Sequence, residues 1–245
     1  MSNMFEDLST EGLEESTDVL GGGGPLESGA YDSVIKMAYV TEAASEARAI
    51  NLVLDVGGRD YWETIYVTSG KAKGKKNYYE RDGKKYPLPG FTTVNDLCLL
   101  ATGKDLAKQD IEEKVVNVYD FDARKEVPTK VPVITSIIGE KVKVGIVKIR
   151  ENKSKKNEST GAYEPTSEER LINEISKVFH HETNKTVSEY INKTEEATFF
   201  GKWMEKHNGV LTDKYKEVSG GGSSGKPGSS KPSSGKATTS LFGDE

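Results

Sequence analysis

The chain of 245 residues contains few of the residues from which catalytic and metal sites are built. Its single cysteine, Cys98, excludes an internal disulfide and a cysteine zinc cluster, and is typical of the reducing cytosol. Two of the three histidines, His180 and His181, are adjacent on an expected strand and would point to opposite faces, whereas His207 stands alone. We therefore expect no bound metal, no cofactor and no enzymatic activity.

A metal nuclease is the catalytic alternative that the acidic residues leave open. Asp105, Asp110, Asp120 and Asp122 could together hold Mg²⁺. Asp120 and Asp122, however, flank Phe121 in an expected turn, where aspartate bonds to nearby backbone groups. This pattern favours a structural role for them.

Long apolar runs are also missing. No segment approaches the roughly 20 apolar residues that span a bilayer, and the chain starts with acidic residues where a secretory signal has basic ones. The hydrophobic fraction of 34% is low for a chain that folds throughout. We expect a cytosolic protein without membrane contacts, whose folded part is smaller than the chain.

Composition divides the chain into three regions. Residues 1–28 contain seven acids and no Lys or Arg, and the four glycines at 21–24 predict a flexible acidic N-terminal arm. Residues 219–245 consist mainly of Gly, Ser, Pro and Lys, which predicts a disordered linker. That linker ends in an acidic-tipped docking peptide with the candidate partner-binding residues Leu241, Phe242, Asp244 and Glu245. Residues 29–218 remain as the folded domain, with insertions.

Alternating apolar residues predict a β-rich domain between these ends. Gly57 and Gly58 form an expected hairpin turn, and a helix should begin at Thr92 or Thr93 and end at Gly103. Residues 195–207 should form a helix that packs back on the barrel. The expected strands cover residues 30–40, 49–56, 60–68, 114–119, 130–138, 141–151 and 174–180, with a polar loop at 152–168. This order predicts a mainly β fold, an OB-like antiparallel barrel with a few short helices and disordered termini.

Aromatic and basic residues are interleaved along one part of the domain. Binding a single strand without sequence preference needs cations for the phosphates and flat rings on which unpaired bases stack. Segment 71–85 contains seven basic residues and two acids, and segment 141–156 contains seven and one. The candidate DNA-binding residues are Trp62, Tyr66, Lys71, Lys73, Lys75, Lys76, Tyr78, Tyr79, Arg81, Lys84, Lys85, Tyr86, Phe91, Lys148, Arg150 and Lys153.

A simpler structural interpretation exists for each group. Trp62 could be an ordinary core residue, and the lysines a solvated loop, although such a loop needs no tyrosines. In the second group, Lys148 has the opposite strand parity to Lys141, so both can line one groove only if a bulge intervenes near Gly145.

Several short segments of the sequence are similar to a known family. They are Met4–Leu8, Gly21–Gly24, Ala38–Thr41, Glu63–Thr68, Leu88–Phe91 and Ser240–Gly243. In these segments the chain resembles the single-stranded DNA-binding proteins of short-tailed bacteriophages, in particular the schitovirus group.

The resemblance implies an OB fold that coats and protects single-stranded DNA during phage DNA replication, recombination and repair. It also implies a C-terminal tail that recruits phage or host replication and recombination proteins, in the cytoplasm of the infected bacterium. The residues alone leave open an adaptor of the replication complex with little intrinsic DNA binding, and they do not fix the oligomeric state.

Overall fold

The computed structural model describes residues 24–120, 123–159 and 161–218. Ten strands and three α-helices lie in this part of the chain. They are β1 (Gly29–Glu42), β2 (Arg48–Val56), β3 (Arg59–Tyr66), β4 (Tyr78–Arg81), β5 (Lys84–Pro87), α1 (Pro89–Thr102), β6 (Ile111–Asp120), β7 (Lys125–Ile134), β8 (Lys141–Lys156), β9 (Tyr163–Phe179), α2 (Val187–Ile191), α3 (Thr198–His207) and β10 (Leu211–Asp213). The predicted tail and most of the predicted N-terminal arm lie outside the described residues.

The fold is mainly β, as predicted, and most of its strands belong to one sheet. β1 pairs with β2 and β8, β2 also pairs with β3, and β8 also pairs with β9 and, in parallel, with β10. In the described part of the chain β3 pairs with β2 alone, and the sheet does not close into a barrel. The prediction of a closed barrel was therefore wrong. β4 and β5 form a separate hairpin.

The main core lies between the inner face of this sheet and α1. Leu52 and Leu54 of β2 and Ile146 of β8 are fully buried there against Leu97 and Cys98 of the helix. Burying each such aliphatic side chain contributes about 1.5–3 kcal/mol. The alternation that predicted β1, β2 and β3 therefore reflects a real inner and outer face.

A half-buried carboxylate connects β3 to β9, where strand pairing is absent among the described residues. Glu63 accepts hydrogen bonds from the Tyr61 hydroxyl at 2.6 Å and from the Ile175 backbone N–H at 2.9 Å. The ion pair between Asp96 of α1 and Lys177 of β9, at 2.9 Å, lies in the same region. Burial raises the pKa of Glu63, and the two hydrogen bonds oppose that rise. The Glu63 side chain thus joins β3 to β9, and the Asp96–Lys177 ion pair joins α1 to β9.

Two substitutions of Glu63 should distinguish the contribution of its hydrogen bonds to stability from the contribution of its charge. Glu63→Ala leaves two donors without their acceptor and should lower the free energy of unfolding by about 1–3 kcal/mol, whereas Glu63→Gln keeps an acceptor. Because the folded-state pKa is raised, stability from the protonated form is lost as pH rises through that pKa. Urea unfolding should therefore show wild type losing stability relative to Glu63→Gln as pH rises above about 4.5, the ordinary pKa of a glutamate. The opposite trend would contradict this account.

The helix α1 begins earlier than the sequence predicted. Leu88 is extended and Pro89 occupies the first turn, where its missing N–H costs no hydrogen bond. Thr92 and Thr93 lie inside the helix, and their hydroxyls donate to the carbonyls of Leu88 and Pro89. The predicted end at Gly103, in the left-handed conformation, is confirmed.

The predicted polar loop at 152–168 is also wrong, because β8 and β9 continue as a long hairpin on both sides of the turn. Cross-strand ion pairs join Arg170 to Glu151 and Lys153 to Glu168. Both faces of this hairpin are largely exposed, so its polar residues carry no alternating pattern. A strand without a buried face looks like a loop in sequence.

The predicted late helix is confirmed as α3, and it packs on the outer face of β8 and β9. The Trp203 ring lies against Gly145, at which an added Cβ would come within 2.7 Å of the ring. The Trp203 indole N–H donates to the Ser176 hydroxyl at 3.1 Å. In the described residues no helix is long and apolar enough to cross a membrane.

Two glycine substitutions test this packing. Gly145→Ala should displace Trp203 and lower the free energy of unfolding by about 1–3 kcal/mol, because the ring has no room to move inward. Gly201→Ala, within α3 and with nothing near its Cβ, should instead raise it by about 0.5–1 kcal/mol. Thermal melts with Trp fluorescence measure both, and equal effects of the two variants would argue against the contact.

Candidate nucleic-acid interface

The outer face of β3 presents large aromatic side chains to solvent. Trp62 is 58% exposed and Tyr66 is 52% exposed, whereas the residue that precedes each of them, Tyr61 and Ile65, is buried. Trp62 is therefore not a core residue. The strand places its rings outside because successive side chains point to opposite faces.

A surface cleft of about 1030 Å³ lies at the Tyr66 end of β3. Its walls are the β1–β2 turn, the segment that follows β3, the hairpin strand β4 and the start of α1. Six of the predicted residues line this cleft, which we call the tyrosine cleft: Tyr66, Tyr78, Tyr79, Lys71, Lys73 and Lys76. Tertiary structure thus brings Tyr66, at the end of β3, and the basic insertion into one site.

The hairpin of β4 and β5 arranges rings and cations closely. The Tyr79 and Tyr86 rings stack with centroids 5.6 Å apart. The ammonium groups of Lys76 and Lys85 lie 5.2 and 4.9 Å from the centre of the Tyr78 ring, within the range of a cation–π contact. These contacts order the side chains before any ligand binds.

The remaining cations of this hairpin lie at its turn. The Asp82–Gly83 turn has positive φ at both residues, as a tight two-residue hairpin turn requires. Arg81 contacts the Asp82 carboxylate at 3.5 Å. Lys84 stands opposite Arg81 in the register of the two strands. Both cations are exposed and stand beyond the residues that line the cleft.

Two close backbone approaches give the cleft its shape. A Cβ on Gly90, in the first turn of α1, would lie 2.3 Å from the Tyr66 carbonyl oxygen. A Cβ on Gly70 would lie 2.9 Å from the Ser45 carbonyl oxygen, which accepts the Lys71 N–H at 2.7 Å. Only glycine allows these segments to approach so closely.

An acidic residue that sequence reasoning missed lies in the cleft wall. Glu46 adopts a left-handed backbone conformation in the β1–β2 turn, with φ of 61°. Its carboxylate contacts Lys71 at 2.8 Å and also pairs with Lys75. Hydrogen bonds from Lys71 and then Lys75 lower the pKa of Glu46. No local signal predicts this contact, because the lysines are more than twenty residues away in sequence.

Two predicted aromatic residues stand apart from the tyrosine cleft. Trp62 lies four residues from Tyr66 along β3, about 13 Å at the usual strand rise, beside a shallow pocket that includes Leu26 and Ile172. Phe91 is half-buried and packs against the main core. Phe91 is therefore placed to hold α1 rather than to stack on a ligand.

The three candidates from the second basic group, Lys148, Arg150 and Lys153, do not join the cleft, and each has an acidic partner. Lys148 pairs with Glu27 at 2.6 Å, and Lys153 pairs with Glu168 at 3.0 Å. The guanidinium of Arg150 contacts two carboxylates, those of Glu169 and Asp213, and lies 4.7 Å from the centre of the Tyr215 ring.

The residues considered for catalysis are arranged differently from the prediction. β9 ends at Phe179, so His180 and His181 do not point to opposite strand faces but stack, 5.1 Å between ring centres. Burial and then the His181 charge lower the pKa of His180. Of the aspartates, Asp105 pairs with Lys108 at 3.1 Å, and Asp122 lies outside the described residues. Within the described ranges no group of three or more His, Cys, Asp or Glu side chains could hold a metal ion.

Comparisons with known proteins do not assign this chain to a family. No model of a known family matches the chain, and no curated protein matches it significantly. The predicted docking residues Leu241, Phe242, Asp244 and Glu245 lie outside the described residues.

The Glu46 contacts predict the effect of removing one charge. Glu46→Gln releases Lys71 and Lys75 for phosphates, so affinity for an oligothymidine probe should rise several-fold. The slope of log affinity against log salt should steepen by up to about 1.4, for two added phosphate contacts on a single strand. Fluorescence titrations at several salt concentrations measure both quantities.

The control for Glu46→Gln is Glu169→Gln, which changes the net charge equally but acts on Arg150, outside the cleft. An equal gain in the two variants would mean that total charge, and not the tyrosine cleft, controls binding.

Proposed function

We propose that this chain is a sequence-independent single-stranded DNA-binding protein, and that unpaired bases and phosphates occupy the tyrosine cleft. The observation that carries the proposal is the presence of three tyrosine rings and three lysines in one open cleft. Stacking contributes about 1–3 kcal/mol per base, and the lysines contribute phosphate contacts. No reactive centre is needed for this activity.

The chemistry of the cleft favours stacking over base reading. Arg, Asn and Gln are the side chains that most often read base edges with paired hydrogen bonds. Among the described residues that line the cleft there is none of these three types. Rings bind any base because every base has a flat face, so this lining supports binding without sequence preference.

Local charge supports a nucleic-acid ligand although the whole chain has a net charge of −5. Segment 71–85 carries seven cations, and only three carboxylates, those of Glu46, Glu80 and Asp82, contact them in the described structure. Local sign, and not the total, decides how a polyanion is steered. The cleft therefore keeps an excess of positive charge.

The fold also supports the proposal, because the order of its strands resembles that of an OB barrel whose sheet has stayed open. Strands β3, β2, β1, β8 and β9 follow one another around the main core, and α1 contacts both β3 and β9 where the pairing is open. OB folds bind single strands over the second and third strands and the first loop. The tyrosine cleft lies at the equivalent position, between the β1–β2 turn and β3.

The biological setting in this proposal comes from the resemblance to the phage proteins. On that basis the chain coats and protects single-stranded DNA during phage replication, recombination and repair in the infected bacterium. Its C-terminal residues then recruit replication or recombination proteins.

Titration with oligothymidine and with a duplex of equal length tests the proposal. Wild type should bind the single strand at least ten times more tightly than the duplex, and affinity should fall as salt rises. Tyr66→Ala and Tyr79→Ala should each weaken single-strand binding by about 1–3 kcal/mol, or roughly 5- to 150-fold. Tyr163→Ala, which removes an exposed ring on β9, is the matched control and should change little.

Equal affinity for the two DNA forms would overturn the proposal. If Tyr163→Ala weakened binding as much as Tyr79→Ala does, the tyrosine cleft would not be the binding site. If the protein captured replication proteins but did not bind DNA, the result would instead support the alternative function as an adaptor of the replication complex.

A further inference from the structure

The first described residues are held at the opposite end of β3 from the tyrosine cleft. The Arg59 guanidinium donates a hydrogen bond to the Gly24 carbonyl at 2.8 Å. The Asn173 side chain accepts one from the Leu26 N–H at 2.6 Å and donates one to the Leu26 carbonyl at 2.9 Å. These three hydrogen bonds fix, at the start of β3, the point from which residues 1–23 extend.

An exposed strip on the outer face of β3 connects that point to the cleft. Trp62, Thr64 and Tyr66 share this face, because the side chains of alternate residues point the same way. Trp62 and Thr64 line the pocket that contains Gly24, and Tyr66 lines the tyrosine cleft. From Arg59 to Tyr66 the strand rises about 23 Å. A segment that follows the outer face of β3 for this distance therefore arrives at the cleft.

The cations of the cleft region outnumber the carboxylates that contact them. Among the described residues no carboxylate contacts Lys73 or Lys85, and Lys71 and Lys75 share the single carboxylate of Glu46. The Glu46 contacts show that a carboxylate fits against this wall of the cleft. A segment with several carboxylates therefore finds partners there, as phosphates would.

The N-terminal residues have the charge that complements this excess. Residues 1–23 contain no Lys or Arg and six acids, which are Glu6, Asp7, Glu11, Glu14, Glu15 and Asp18. The C-terminal residues 219–245 contain three Lys and two acids, so their net charge has the wrong sign. Charge complementarity therefore selects the N-terminal segment as the occupant.

We propose that residues 5–18, which we call the acidic segment, occupy the tyrosine cleft when no nucleic acid is bound. Its carboxylates then contact the lysines, and the Phe5 ring lies against the tyrosines as a base would. A single strand must displace the acidic segment before it binds. The docking itself needs no DNA, and only this competition rests on the proposed function.

The length of the chain suits such an intramolecular contact. Glu11, near the middle of the acidic segment, lies thirteen residues before Gly24. A flexible chain of that length has a root-mean-square span of about 20 Å, close to the rise of about 23 Å along β3. A span that matches the separation gives an effective concentration in roughly the millimolar range. Weak ionic contacts therefore suffice to fill the cleft in the absence of a tighter ligand.

Paramagnetic NMR of the full chain, without DNA, tests the docking. A nitroxide attached at Ser9→Cys should broaden the backbone amide signals of residues 71–85 and leave those of α3 sharp. Cys98 is buried, and burial raises the pKa of its thiol to about 12, so the label should not react there. Sharp signals for residues 71–85 overturn the proposal. Broadening confined to residues 59–64 also overturns it, because the acidic segment would then lie beside its point of attachment.

Two charge variants of the labelled chain distinguish ionic docking from mere tethering. The segment variant combines Glu11→Gln, Glu14→Gln and Glu15→Gln. The control variant neutralises three exposed acids in or just before α3, which do not line the cleft: Glu195→Gln, Glu196→Gln and Glu205→Gln. The segment variant should lose the broadening and the control variant should keep it. Equal broadening in the two variants means that tethering alone brings the label to the cleft, and it overturns the proposal.

Titration of the unlabelled variants with oligothymidine tests the competition. At low salt the segment variant should bind the probe at least about threefold more tightly than the control variant, and the difference should shrink as salt screens the exposed charges. Equal affinity of the two variants rejects the competition. If no variant binds the probe, the proposed function fails, whereas the NMR result still supports or overturns the docking.

Discussion

The architecture of the candidate site depends on the hydrogen bond between the half-buried Glu63 carboxylate and the Ile175 backbone N–H. It connects the edge of β3 to the backbone of β9 where the two strands exchange no ladder in the described structure. Tyr61, on the same strand face, donates to the same carboxylate, so inner-face polar groups have partners despite burial. With its inner face held in this way, β3 presents Trp62 and Tyr66 to solvent.

The tyrosine cleft combines a rigid wall with a basic insertion. Gly90 allows α1 to start directly against Tyr66, and Gly70 brings the insertion onto the β1–β2 turn. Ring stacking and cation–π contacts then order the tyrosines of the hairpin. Such preorganisation reduces the entropy lost when a flexible strand binds. Glu46 acts against the proposed binding, because it forms ion pairs with Lys71 and Lys75.

The strand edges of this protein differ in what covers or blocks them. The outer edge of β3 lies near β9 and is bridged by a side chain, and that of β7 carries two prolines. The long β8–β9 hairpin is covered with cross-strand ion pairs. On β6, Glu112, Glu113 and Lys114 form ion pairs within the chain, and Ile111, Val115 and Tyr119 are exposed.

The sequence by itself determined the elements that have one buried face. Alternation identified β1, β2 and β3, helical spacing identified α3, and Gly103 marked the end of α1, because each pattern records a burial period. It also identified Tyr66, Tyr78, Tyr79 and their lysines as one group, since rings among cations have no purpose in a solvated loop.

Only tertiary structure decided the features that depend on residues far apart in the chain. The sheet stayed open because side chains, not a ladder, join β3 to β9, and the polar arms of β8 and β9 formed strands without any buried face to reveal them. Tertiary contacts also separated Phe91 and Lys148 from the cleft and brought Glu46 into it. Packing and ion pairing between distant residues leave no local period, so a single sequence does not contain that information in readable form.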